Sequence, residues 1–178
     1  MRIKDKIKRP RRPVVVYEIL PPREKDGTLN SYAANISSLL SQTHIDAINI
    51  PEVRDEVARG ERPIKNQIRA EPREFGRLLQ DIVGIEAIIN RVVVHQDMEE
   101  EMTWLEETNK KYEIENLITV GGESRSIKYP GPSVNQALAA ISKNQKLDLL
   151  CGGISIPSRE KESLRLIEKS ENGSEFFT

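Results

Sequence analysis

Five short runs of β-branched and apolar residues punctuate this chain, and a stretch of helical period follows each one. The runs cover residues 14–20, 46–50, 90–95, 116–120 and 149–156, and a sixth begins at Glu175. Between them, apolar residues recur at three- and four-residue spacing: Leu29, Tyr32, Ile36 and Leu40; Phe75, Leu78, Leu79 and Ile82; Met98, Met102 and Leu105; Val134, Leu138 and Ile141; Leu164 and Ile167. Start and stop signals frame these helices. Thr28 and Ser133 are N-cap residues, Pro72 suits a first turn, and Asn172-Gly173 suits a left-handed stop. No hairpin turn joins two runs. Alternation of this kind predicts an α/β fold with a parallel sheet and right-handed crossovers. Both an open doubly wound sheet and a barrel satisfy it. No G-x-G-x-x-G follows the first run, which argues against a dinucleotide-binding sheet.

The chain has 178 residues, enough for one domain with a core. The expected division is a basic, flexible tail over residues 1–13 and a β/α domain over residues 14–178. The tail carries Arg2, Lys4, Lys6, Lys8, Arg9, Arg11 and Arg12, yet the whole chain has a net charge of -1, so no nucleic-acid partner is expected. No apolar stretch reaches membrane-spanning length and no signal peptide is visible, so no membrane association is expected. The lone cysteine, Cys151, leaves no internal disulfide, which fits a cytoplasmic location. Cys and His do not occur at metal-ligand spacing, so no metal is expected.

The first run holds the residue that most needs explaining. Val14-Val15-Val16-Tyr17-Glu18-Ile19-Leu20 places a carboxylate inside an apolar strand that stops at Pro21-Pro22. Such a group is paired, solvated or kept protonated. A protonated carboxyl in an apolar setting can act as a general acid near neutrality. In either architecture ligands gather at the carboxyl ends of the strands. There the sequence offers Glu18; Pro51 and Glu52; His95 and Asp97; Gly121, Gly122 and Glu123; and Ser155, Pro157 and Ser158. Bare backbone at Gly121-Gly122 would admit a flat ring or a phosphate, or would serve only as a tight turn.

Val16-Tyr17-Glu18-Ile19-Leu20-Pro21-Pro22 resembles the first strand of methylenetetrahydrofolate reductases. The likeness continues in order through His95, Val120-Gly121-Gly122-Glu123, Ile156-Pro157-Ser158, Lys169 and Glu175-Phe176-Phe177-Thr178. It implies a (β/α)₈ barrel of the TIM type binding FAD at its strand ends. The implied reaction is reduction of 5,10-methylenetetrahydrofolate, or a related pterin, to the 5-methyl form. NADH or NADPH would be the electron donor, and the setting one-carbon metabolism and methionine biosynthesis. By resemblance, Glu18 and Glu123 are the catalytic residues. His95, Gly121, Gly122, Ile156 and Lys169 are the cofactor contacts. Gly121 stands in place of the family's Arg, Glu123 in place of Asp and Ile156 in place of Tyr. The barrel is expected to be incomplete, since the chain stops inside strand six and a closed TIM barrel takes about 250 residues. A homo-oligomer, or a partner completing the barrel, is the corresponding expectation. The alternative function is a non-catalytic barrel subunit, or a pterin-binding methyltransferase component without redox activity.

Overall fold

A computed structural model describes residues 2–54, 68–123 and 126–178. Six parallel strands form one sheet: β1 (Val16–Glu18), β2 (Ala47–Pro51), β3 (Ala87–Val92), β4 (Asn116–Val120), β5 (Leu150–Gly153) and β6 (Phe176–Phe177). Among the described residues the α-helices are α1 (Ile3–Lys8), α2 (Leu29–Leu40), α3 (Pro72–Val83), α4 (Met98–Lys110), α5 (Val134–Lys143) and α6 (Glu162–Glu171). The strands lie side by side in chain order. A doubly wound sheet would reverse that order at a switch point, so the barrel-type alternative is the one observed. The product is a curled half-barrel with β1 and β6 at its edges.

The expected caps at Thr28 and Ser133 and the stop at Gly173 are in place, and Glu71 caps the helix that Pro72 opens. The Thr28 hydroxyl accepts from Ser31 N–H, and the Glu71 carboxylate accepts from Arg73 and Glu74 ahead of α3. Ser133 and Gln136 form a reciprocal capping box, and Gly173 closes α6 at φ 109°. The third strand sits differently from expectation: it spans Ala87–Val92 rather than residues 90–95. Pairing with β2 ends at Asn90 and pairing with β4 at Val92, and the buried Val93 and Val94 continue as a turn whose Val94 carbonyl accepts from Gly131. The expected loop over residues 52–69 lies mostly outside the described residues.

Register divides the sheet into two faces. Ile48, Ile50, Ala87, Ile89, Leu117 and Cys151 face the helices, where Phe75, Leu79, Leu105, Leu138 and Ile141 cover them. Cys151 is a core residue, and burial pushes its thiol up to about 12. Ala47, Ile88, Ile118 and Leu150 point to the opposite, inner face and pack on Ile3.

That contact corrects the reading of residues 1–13 as a flexible tail. Ile3 is only 1% exposed, and α1 lies under the amino ends of the strands. An acidic residue stands just ahead of each strand from β2 to β6, and the basic segment meets all five. Lys6 and Arg12 bind Asp46 at 2.9 and 2.8 Å, Ile3 N–H donates to Glu86, and Arg2 pairs with Glu115 at 2.8 Å. Lys4 reaches Asp148 at 2.9 Å and Lys8 reaches Glu175 at 2.6 Å. The exposed pairs, those of Arg2, Lys4 and Lys8, are worth roughly 0–1 kcal/mol each, while the Asp46 carboxylate is buried. The buried Ile3 side chain is worth more.

Ile3→Ala should therefore cost about 2–5 kcal/mol in urea denaturation and Lys4→Ala no more than about 1 kcal/mol. A free tail would make both silent. Asp46 supplies a pH test. The Val15 N–H, then Lys6 and Arg12, hold its carboxyl well below the ordinary carboxylate range against the opposing effect of burial. Its folded value is depressed, so its stabilisation is complete above the unfolded value near ~4 and fades as acid carries the pH toward the folded one. The stability gap between wild type and Asp46→Asn should be flat above about pH 5 and narrow below about pH 4.

Candidate functional site

The carboxyl ends of the strands gather the predicted residues into three groups rather than one. Glu18 ends β1, and β1 is a sheet edge. Val16 is 36% exposed and Tyr17 55%, and Glu18 is exposed too. The apolar enclosure expected around this carboxyl is therefore not formed among the described residues, where no strand lies on the outer side of β1. Glu18 is held instead by its inner-face neighbour. Asn49 stands beside it in register and donates from Nδ2 to Glu18 Oε2 at 2.8 Å.

The second group surrounds the Gly pair. Gly121 and Gly122 leave β4, and the Tyr129 ring lies directly on Gly122, where any side chain would collide with it. Tyr129 also meets His95 edge-on, with ring centres 5.5 Å apart at 80°. The bare backbone that suggested a ligand seat is thus occupied by the chain's own aromatic ring. His95 lies three residues beyond β3, in the turn the valine run makes. Glu123 follows the Gly pair and is half-buried.

The third group flanks β5. Lys169, on α6, lays its stem against Gly153 and donates from Nζ to the Ile154 carbonyl at 2.6 Å. Burial lowers the pKa of its amine, partly offset by Glu162. Ile156 N–H donates to Glu162 Oε1 at 3.0 Å, so α6 grips the segment leaving β5 at two points.

Sequence reasoning passed over three residues that shape this end. Arg91 faces outward from β3 and is 1% exposed. It donates to both oxygens of the fully buried Glu101 on α4, to Gln96, and to Glu52 beyond β2, and its guanidinium lies 4.3 Å from the Trp104 ring centre. Glu52 in turn accepts from Val92 N–H at 3.0 Å, which fixes the start of the loop after β2. Burial pushes the Glu101 carboxyl up, and Arg91 pulls it back. The other two are Asn49 and Asn90, both on the inner face. Asn90 lies beside Pro51 and Ile118, above the apolar floor that Ile3 covers. Both amide oxygens are buried and accept no hydrogen bond. The arrangement offers a ligand one carboxylate and two amides on three adjacent strands. A cavity of about 310 Å³, lined by Lys6, Arg9, Arg12 and Asp46, lies at the opposite end, away from these groups. Among the described residues no cluster of His, Cys, Asp and Glu could hold a metal, and no helix is long and apolar enough to cross a membrane.

No protein-family model matches the chain, and no curated protein matches it by sequence. Solved structures do. One is an uncharacterised protein from Clostridium thermocellum that binds two copies of 5-methyl-5,6,7,8-tetrahydrofolic acid, 23% identical, with a TM-score of 0.72 over 98% of this chain and 57% of that one. Another is the 4-hydroxy-tetrahydrodipicolinate synthase of Methylacidiphilum fumariolicum SolV, 20% identical, with a TM-score of 0.53 over 90% of this chain and 52% of that one. The likeness is one of fold. The chain spans little more than half the length of either neighbour.

The Arg91 network generates a prediction about how this end is built. Arg91→Leu alone strands the Glu101 carboxylate and should cost about 3–5 kcal/mol. Arg91→Leu combined with Glu101→Leu should recover most of that loss in the same denaturation assay, because the apolar pair leaves no fully buried charge and Glu52 keeps Arg54 at 2.6 Å and the Val92 N–H.

Proposed function

We propose that this half-barrel binds a reduced folate at the carboxyl ends of its strands. One observation carries the reading. The inner face is apolar at the end that α1 covers and polar at the other, where Glu18, Asn49 and Asn90 stand on neighbouring strands. Buried polar groups without internal partners are uncommon in folded chains and call for an explanation, and a bound ligand is one. The folate-binding neighbour with the same fold over 98% of the chain supplies the ligand class. The pyrimidine half of a reduced pterin is flat and edged with N–H and carbonyl groups, which suits a carboxylate and two amides.

The resemblance to methylenetetrahydrofolate reductases adds FAD, a nicotinamide donor and an acid role for Glu18. A flavin ring does not fit against Gly122 while Tyr129 lies there. The reading therefore rests on folate binding and takes no redox step through FAD.

Calorimetric titration of the purified chain with 5-methyltetrahydrofolate tests it. Saturable binding, with a rise in melting temperature that follows ligand concentration, is the expected result. No heat and no thermal shift at millimolar ligand would overturn it. Titration with FAD is a separate arm. Uptake with the visible absorbance of a bound flavin would bring the reductase reading back, with Tyr129 displaced.

A further inference from the structure

Asn90 is the polar side chain on the inner face that the fold itself does not use. It sits between Pro51 on β2 and Ile118 on β4, half-buried. Its amide makes no hydrogen bond among the described residues, and its Oδ1 is shut away from water. Asn49, one row nearer the floor on the adjacent strand, differs in one respect: its Nδ2 is engaged by Glu18, while its Oδ1 is equally without a partner. Within the chain, an isosteric apolar residue at position 90 would serve packing better, because a buried amide oxygen without a donor carries its full desolvation cost. Among the described residues no hydrogen bond fixes which way the amide is turned, so its oxygen and its NH₂ group are both uncommitted.

We propose that Asn90, backed by the Glu18–Asn49 pair, reads the edge of the ligand's heterocycle. The inference rests on the folate reading and assigns the residue that recognises the pterin. A primary amide offers one acceptor and one donor side by side. It therefore matches a ring edge that presents an N–H next to a carbonyl or ring nitrogen, as asparagine matches the adjacent donor and acceptor of adenine. The Asn90 oxygen accepts the ring N–H, and its NH₂ donates to the neighbouring ring acceptor. Glu18 accepts from Asn49 through Oε2, which leaves Oε1 for a second N–H of the ligand. These three side chains bring acceptors and one amide donor and no cation, so this part of the mouth selects a neutral, N–H-bearing ring over a phosphate.

Asn90→Leu and Asn90→Ala are compared with wild type for melting temperature without ligand, and by calorimetry for two probes. One probe is 5-methyltetrahydrofolate. The other is p-aminobenzoylglutamate, which carries the folate tail without the pterin. In Asn90→Leu the melting temperature should hold or rise by about 2–4 °C, since an unsatisfied amide is removed. In both variants affinity for 5-methyltetrahydrofolate should fall about tenfold or more, and that for p-aminobenzoylglutamate should stay as in wild type. Should leucine prove too large for the site, the alanine variant decides on binding alone. Unchanged affinity for 5-methyltetrahydrofolate in the variants, with wild-type binding intact, overturns the role of Asn90 and leaves the folate reading standing. A wild-type protein that ignores 5-methyltetrahydrofolate removes both. Equal loss of the two probes also overturns the assignment, because it places the effect outside the pterin.

Discussion

The strands β2 to β5 are buried on both faces, and the inner face of a half-barrel has no second sheet to lie against. The amino-terminal segment supplies the cover. Ile3 packs on Ala47, Ile88, Ile118 and Leu150. The basic residues around it pair with the acids ahead of β2, β4, β5 and β6, and its own N–H donates to Glu86 ahead of β3. The division of labour follows from magnitudes. Ion pairs at the surface contribute little each, but contacts to five acids, four through ion pairs and one through a backbone N–H, fix the direction and rotation of a six-residue helix too short to be stable alone. The buried isoleucine contributes the affinity, and the charges set where it goes. With the floor sealed this way, the upper half of the inner face is free to carry polar groups without exposing the core to water.

The opposite face is organised by a different device. Arg91 sits in a strand between apolar neighbours and is paid for by Glu101, Glu52, Gln96 and Trp104. A buried arginine of this kind is weak evidence for added stability, since an apolar replacement of the whole set is often neutral or better. Its effect lies in geometry. It joins α4, β3 and the segment after β2 through one planar group with fixed directions, so the carboxyl ends of β2 and β3 hold a set relation. Pro51 and Asn90 are the inner-face residues at that junction.

Much of the architecture was legible in the sequence, because hydrophobic period and cap residues act locally. The helix starts at Thr28, Glu71 and Ser133 and the stop at Gly173 follow from side chains that bond the nearest free backbone groups. What escaped depends on partners distant in the chain. The valine run at 92–94 has strand propensity, but pairing with β2 and β4 places the strand over Ala87–Val92 instead. With that shift of a few residues His95 falls beyond the strand, and Asn90, which reads as a strand's first residue, lies near its carboxyl end. The tail reading failed for the same reason. A run of lysines and arginines looks solvated until the matching acids, spaced along the chain at 46, 86, 115, 148 and 175, are brought into one ring by the barrel. Each acid stands one or two residues ahead of an apolar run, and that regularity was the available signal.

Glu18 draws these constraints together. The sequence marked it as a charge inside an apolar strand, and the sheet puts that strand at an edge. Its environment is therefore set by whatever lies along the outer side of β1, where Val15, Val16, Tyr17 and Leu20 are exposed beside it. A carboxylate there is solvated, while the same carboxylate under a further layer of strand or ligand is enclosed on its apolar flanks and keeps only Asn49 as a donor. The inner-face amides differ from it in this respect. Asn49 and Asn90 lie on β2 and β3, whose neighbours on both sides are in place, so their positions do not wait on anything at the edge. Recognition by such residues is built into the rigid part of the sheet, whereas any proton transfer by Glu18 would depend on how its exposed side is closed.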